Sequence, residues 1–160
     1  MIRSLALAVA LLAAGASRAP LAFRFEPDAQ AELRRLWLTS SDAKAERVAC
    51  LAGQIRGDTV SVTRILPLTG WADSLTASAR QSLEACAPPR WQGTVHTHVA
   101  LYTDDSPSRR FSGQDRTVMR MWYDRWRSDG VFCIAYSERS AHCEADGVVG
   151  GMRSRPRIVR

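Results

Sequence analysis

The apolar positions of this chain change period several times, and each change marks an element. Leu-Ala-Phe-Arg-Phe (21–25) predicts a short first strand, after which Glu26, Pro27 and Asp28 supply residue types that open helices. Ala29, Leu33, Leu36 and Trp37 then recur at helical spacing and define one apolar face, expected to cover a core. Residues 46–55 and 59–68 read as two β-rich runs, and the Arg56-Gly57-Asp58 step between them suits a tight hairpin. Gly70 and Trp71 lead into a predicted second helix over 72–86, with Leu75, Ala79, Leu83 and Cys86 on one stripe, ended by Pro88 and Pro89.

A further strand is expected over 91–98, Trp-Gln-Gly-Thr-Val-His-Thr-His. It is followed by a polar loop, 99–111, long enough to suggest a functional segment that covers a site. Ser112 precedes a third predicted helix, 113–127, whose buried stripe would be Val118, Met121, Trp122 and Trp126. A hairpin around 131–146 and a basic, glycine-containing tail over 151–160 complete the chain, which shows no internal repeat.

The first residues add a different signal. Arg3, the apolar run from Leu5 to Ala14 and the small-residue step Ala14-Gly15-Ala16 have the layout of a secretory signal peptide, assigned to 1–19 with cleavage at or near Ala16. The run is shorter than the ~20 apolar residues that a membrane span needs, so contact with a membrane is expected only through this segment if it stays uncleaved. Export, to a periplasm or outside the cell, is the expected location; a cytoplasmic protein with a misassigned start is the alternative.

At 160 residues with 46% hydrophobic positions, the remainder fits one domain with one core, taken as 20–150. The net charge of +6 is nearly all arginine, scattered from Arg34 to Arg127 and through the tail. Without a basic block interleaved with aromatics it reads as a solvated surface, and no nucleic-acid partner is expected. Four cysteines, Cys50, Cys86, Cys133 and Cys143, suit an exported chain with two disulfides. Cys133 and Cys143 lie symmetrically about Glu138 and could face each other across the last hairpin, which would leave Cys50 with Cys86. None of the four has the C-x-x-C spacing of a structural zinc site.

Two of the chain's three histidines stand one residue apart, as His96-Thr97-His98. Side chains at i and i+2 leave the same face of a strand, so both imidazoles could point at one ion. Taken alone, two such histidines are more often polar surface. Ser112 and Asp115 also form an S-x-x-D pattern, which by itself reads as a capping box at a helix start. Two imidazoles and one carboxylate, however, make a three-ligand set that leaves zinc an open fourth position, and a free carboxylate such as Glu46 could take a proton from the attacking water.

The order Glu46, then Gly93-x-x-His96-Thr97-His98, then Ser112-Gly113-Gln114-Asp115 resembles the JAMM (MPN/JAB-type) metalloprotease family. Its signature is an upstream glutamate, H-[ST]-H and S-x-x-D. Glu46 to Gly53 also looks like the family's E-x-x-G-x-L-x-G strand, with Ala49 where glycine is usual. The resemblance covers roughly residues 21–147. It implies an α/β (α+β), MPN/JAB-like fold, a mixed and mostly antiparallel sheet flanked by about three helices. His96, His98 and Asp115 would bind Zn²⁺, Glu46 would be the general base and Ser112 would hold the oxyanion or the water.

The implied activity is a metallopeptidase cleaving an amide or isopeptide bond of a protein or peptide; the alternative is a non-catalytic protein-binding module. Val99 stands where the family commonly has proline, and the gap from His98 to Ser112 is longer than usual. Asp104 and Asp105 in that loop are rival carboxylates, but Asp115 alone has a serine three residues before it and a helix behind it. His142, with no ligand-spaced partner, is expected at the surface.

Overall fold

The computed structural model describes residues 22–56, 59–69, 81–100, 106–146 and 157–158. Seven strands form one sheet: β1 (Ala22–Phe25), β2 (Val48–Arg56), β3 (Thr59–Pro67), β4 (Gly93–Thr97), β5 (Gly130–Ser137), β6 (Ser140–Asp146) and β7 (Arg157–Ile158). Their spatial order is β6-β5-β4-β2-β3-β1-β7. Two long helices, α1 (Pro27–Ala43) and α2 (Gly113–Trp126), accompany it, together with a short helical segment over 81–85.

The local sequence accounts for the element ends. Proline stands in the first turn of α1, where its missing N–H costs nothing. The helix stops at Lys44, whose left-handed backbone returns the last N–H groups to the Ser40 and Ser41 carbonyls. Ala29, Leu33, Leu36 and Ser40 form its buried face, and Trp37 packs beside them half-buried. β2 and β3 form the expected antiparallel hairpin, with a bulge at Ala52/Gly53; its turn, 57–58, lies outside the described residues. Most of the second predicted helix, through residue 80, and the rival carboxylates Asp104 and Asp105 lie outside them as well, as does the signal segment.

Register divides the sheet into two faces. Val48, His96, Ile134 and His142 lie side by side across four strands, and Cys50, Thr94, Phe132 and Glu144 form the next row on that face. This side carries the smaller core, in which Cys50, Leu83, Cys86, Trp91 and Phe132 meet Met119 and Trp122 of α2. The opposite side carries the larger core, where Ala49, Leu51, Val95, Cys133 and Cys143 pack with Phe23, Leu33 and Leu36 under α1. Both disulfides form as the spacing suggested. Cys133–Cys143 joins directly opposed residues of β5 and β6, and Cys50–Cys86 ties β2 to the segment after 81–85.

The MPN/JAB-like expectation is corrected. Three of the six described strand pairings are parallel, β1 with β3, β1 with β7 and β4 with β5, so the sheet is mixed along its whole width. Among the described residues seven strands in one sheet outweigh the helices, a β-rich mixed sheet closer to a barrel-like architecture than to a helix-flanked one. The reason is that β4 and β5 are joined through α2 and run parallel, a pairing that element order alone leaves open. On α2 the buried residues are Met119 and Trp122, while Met121 and Trp126 are half-buried. The stripe is rotated toward Met119, which packs with Trp122 in the smaller core, and Val118 is left half-buried beside a pocket.

Candidate metal centre

Strand alternation builds the first half of the site. Thr97 points into the α1 side, fully buried, where its hydroxyl meets Ser40 Oγ at 2.7 Å and accepts the Arg47 N–H at 2.9 Å. His96 and His98, one residue to either side, are thereby turned to the α2 side. Ladder bonds continue past the end of β4, because His98 N–H donates to the Ala135 carbonyl at 2.9 Å and Thr97 N–H to that of Arg47 at 3.0 Å. The threonine of the H-T-H step is a lock that fixes the direction of both imidazoles.

The two Nε2 atoms face each other at 3.0 Å. His98 Nδ1 lies 2.9 Å from the Ser108 carbonyl. With Nδ1–H donating there, Nε2 keeps its lone pair for a ligand, the tautomer that metal-binding histidines use.

Asp115 enters from the first turn of α2. Ser112 caps this helix, its Oγ accepting the Asp115 N–H at 3.2 Å while the Ser112 N–H donates to Asp115 Oδ2, a complete capping box. Oδ1 is left facing His96 Nε2 at 3.2 Å, and Oδ2 stands 3.9 Å from His98 Nε2. Burial pushes the Asp115 carboxyl up, but hydrogen bonds from His96 and Ser112 and the charge of the His96 ring outweigh it and hold the group well below the usual carboxylate range. The capping reading and the ligand reading of Asp115 are compatible, since Oδ2 takes the cap hydrogen bond and Oδ1 faces His96 Nε2.

His96, His98 and Asp115 form a group that could hold a metal ion, their donor atoms all within 4.8 Å of one another. Glu46, half-buried, lines the same pocket as His96 and Asp115. Register explains its arrival: Val48 opposes His96, so two residues back along the antiparallel pair Glu46 comes level with His98. Of the predicted site residues, four therefore converge. Ser112 stands at the exposed lip of α2 as its cap.

His142 is corrected from a surface residue to part of a second polar cluster. It is half-buried, with Nε2 3.0 Å from Glu144 Oε1, and Glu144 is gripped by both arms of Arg116. The Phe111 ring stands between the two clusters, its centroid 6.1 Å from that of His96 and 5.7 Å from that of His142. Burial would raise the Glu144 carboxyl, yet Arg116 and His142 bring it below its ordinary value. The signal for this cluster was present in the sequence as His142-x-Glu144, an i, i+2 pair on a strand.

No family model matches this chain, and no curated protein matches it. Among solved structures, it is similar to the solution structure of protein DSY2949 from Desulfitobacterium hafniense, at 16% identity and a TM-score of 0.52, over 86% of this chain and 93% of that one. Likeness at that identity speaks to the fold alone, and the fold it supports is the β-rich mixed sheet that replaces the MPN/JAB-like expectation.

Proposed function

We propose that this chain is a zinc-dependent metallopeptidase of JAMM-type chemistry that hydrolyses an amide or isopeptide bond in a protein or peptide. The observation that carries the reading is the convergence of His96, His98 and Asp115 beside Glu46. Zinc–ligand bonds of 2.0–2.1 Å at tetrahedral angles set neighbouring donors about 3.3 Å apart. The separations of 3.0 Å between the imidazole nitrogens and 3.2 Å from His96 Nε2 to Asp115 Oδ1 are close to that spacing, while the 3.9 Å from His98 Nε2 runs to the capping oxygen Oδ2. Two imidazoles and one carboxylate are also a donor set that zinc accepts while keeping a position open.

Zinc bound there would act as a Lewis acid and lower the pKa of a water to about 7. Glu46 takes the proton of the attacking water and returns it to the leaving nitrogen. The Ser112 hydroxyl, whose oxygen already accepts from Asp115 N–H, has its own O–H to donate to the developing oxyanion. Asp115 would be the anionic ligand of the set. The two disulfides fit an oxidising location, which supports an exported enzyme.

The test is elemental analysis of protein purified without chelator, followed by a peptidase screen. Expected are about one zinc per chain, its loss in both His98→Ala and Asp115→Ala, and peptide cleavage abolished by Glu46→Gln. Folded wild-type protein that takes up no zinc would overturn the enzyme reading and leave the protein-binding module in its place.

A further inference from the structure

The pocket that contains the metal-binding group extends past it, and the extension has a different character. Beyond Glu46, His96 and Asp115, its described lining is Val48, Phe111, Val118, Met119 and Phe132, with the hydroxyl residues Ser82 and Thr94. The cavity amounts to about 60 Å³ and opens to solvent, room for roughly four to six waters or a few carbons of one side chain. No described lysine or arginine lines it.

The walls are built to keep their shape. Phe132 and Met119 are almost fully buried, and the Trp122 ring packs edge-on against Phe132 at 5.8 Å. The segment bearing Ser82 is fastened to β2 by Cys50–Cys86, four residues further on. A preformed apolar recess loses no binding free energy to reorganisation. Beyond the metal end its described lining offers no cation to pair with an acidic group, which would lose its water on entry. A basic side chain entering the recess would lose its water with no anion beyond that end to replace it.

We infer that this recess is a specificity pocket for one apolar side chain, of leucine or phenylalanine size, on the residue flanking the scissile bond. The inference rests on the metallopeptidase reading of the same site. It names Val48, Val118, Met119 and Phe132 as the specificity-determining residues. Full burial of a side chain of that size raises affinity about ten- to a hundredfold.

Hydroxamates, which ligate an open zinc position, separate this inference from the reading beneath it. The affinities of acetohydroxamate, 3-phenylpropanohydroxamate and succinic monohydroxamate are compared by calorimetry on the zinc-loaded protein. Expected is a gain of tenfold or more for the phenyl tail over acetohydroxamate, no gain for the carboxylate tail, and loss of most of the phenyl gain in Val118→Asp. If Val118→Asp does not fold, the near-isosteric Val118→Thr is expected to cut the same gain by a smaller factor. Equal affinity for all three probes would overturn the pocket and leave the metal centre standing. Failure of every hydroxamate to bind zinc-loaded protein would overturn the metallopeptidase reading, and the pocket inference with it.

Discussion

Replacing Glu144 with glutamine removes a charge from the contact that anchors the start of α2 to the sheet. Arg116 Nη2 donates to Glu144 Oε1 at 2.8 Å, Nη1 donates to the other oxygen, and His142 shares Oε1 at 3.0 Å. The side chains are 10% and 26% exposed, so Glu144 is nearly dry while Arg116 keeps some water. Breaking a fully buried ion pair costs about 3–5 kcal/mol, and hydrogen bonds to charged groups contribute about 1.5–3 kcal/mol. Glutamine preserves volume and one acceptor, and the water on Arg116 screens part of the loss, so about 2 kcal/mol is expected.

For a domain of this size that corresponds to a Tm lower by about 4–8 °C at pH 7, read by circular dichroism. The pH dependence gives a second check. The folded-state pKa of Glu144 lies below the ordinary 4.5. Its contribution is therefore present above that value and is lost as pH falls through the folded pKa. The gap between wild type and Glu144→Gln should narrow as pH drops below 4.5. A Tm within 1 °C of wild type at pH 7, or a gap that stays constant down to pH 3, would refute the reasoning.

Ser112→Ala removes the cap of α2 and should cost about 1 kcal/mol in urea unfolding; on the proposed mechanism it also lowers kcat more than it raises KM. Gly93→Ala should fail to fold or lose several kcal/mol by the same assay, because a Cβ there would stand 1.7 Å from the Val131 carbonyl oxygen, a backbone contact that cannot yield. Cys50 and Cys86 are 36 residues apart and Cys133 and Cys143 are 10 apart. Loop-closure entropy then predicts losses of about 4 and about 2.7 kcal/mol for the paired serine variants, so the first pair should be the more damaging in denaturant titrations.

Periodicity in the sequence determined the helix face of α1, the β2–β3 and β5–β6 hairpins and the strand that carries the histidines, because each is a local pattern of two or three and a half residues. Both disulfides were legible for a related reason: Cys133 and Cys143 fall at mirrored positions of one hairpin, and only one pairing then remains. The motif order also named the group that could hold a metal ion, since H-x-H on a strand presents both rings to one face and S-x-x-D at a helix start aims its carboxylate backwards.

What the sequence could not settle was long-range. Whether β4 and β5 run parallel depends on how α2 crosses between them, and the strand-rich, barrel-like sheet replaced the helix-flanked one expected. The same crossing set Arg116 over Glu144 and Phe111 beside His142, and only the His142-x-Glu144 half of that cluster follows a local period. It also turned Val118 toward the metal end and buried Met119 in place of Met121, because a helix stripe is decided by the surface it lands on. Glu46 reached the pocket through the register of β2 against β4, where a shift of one residue would have sent its carboxylate to the other face.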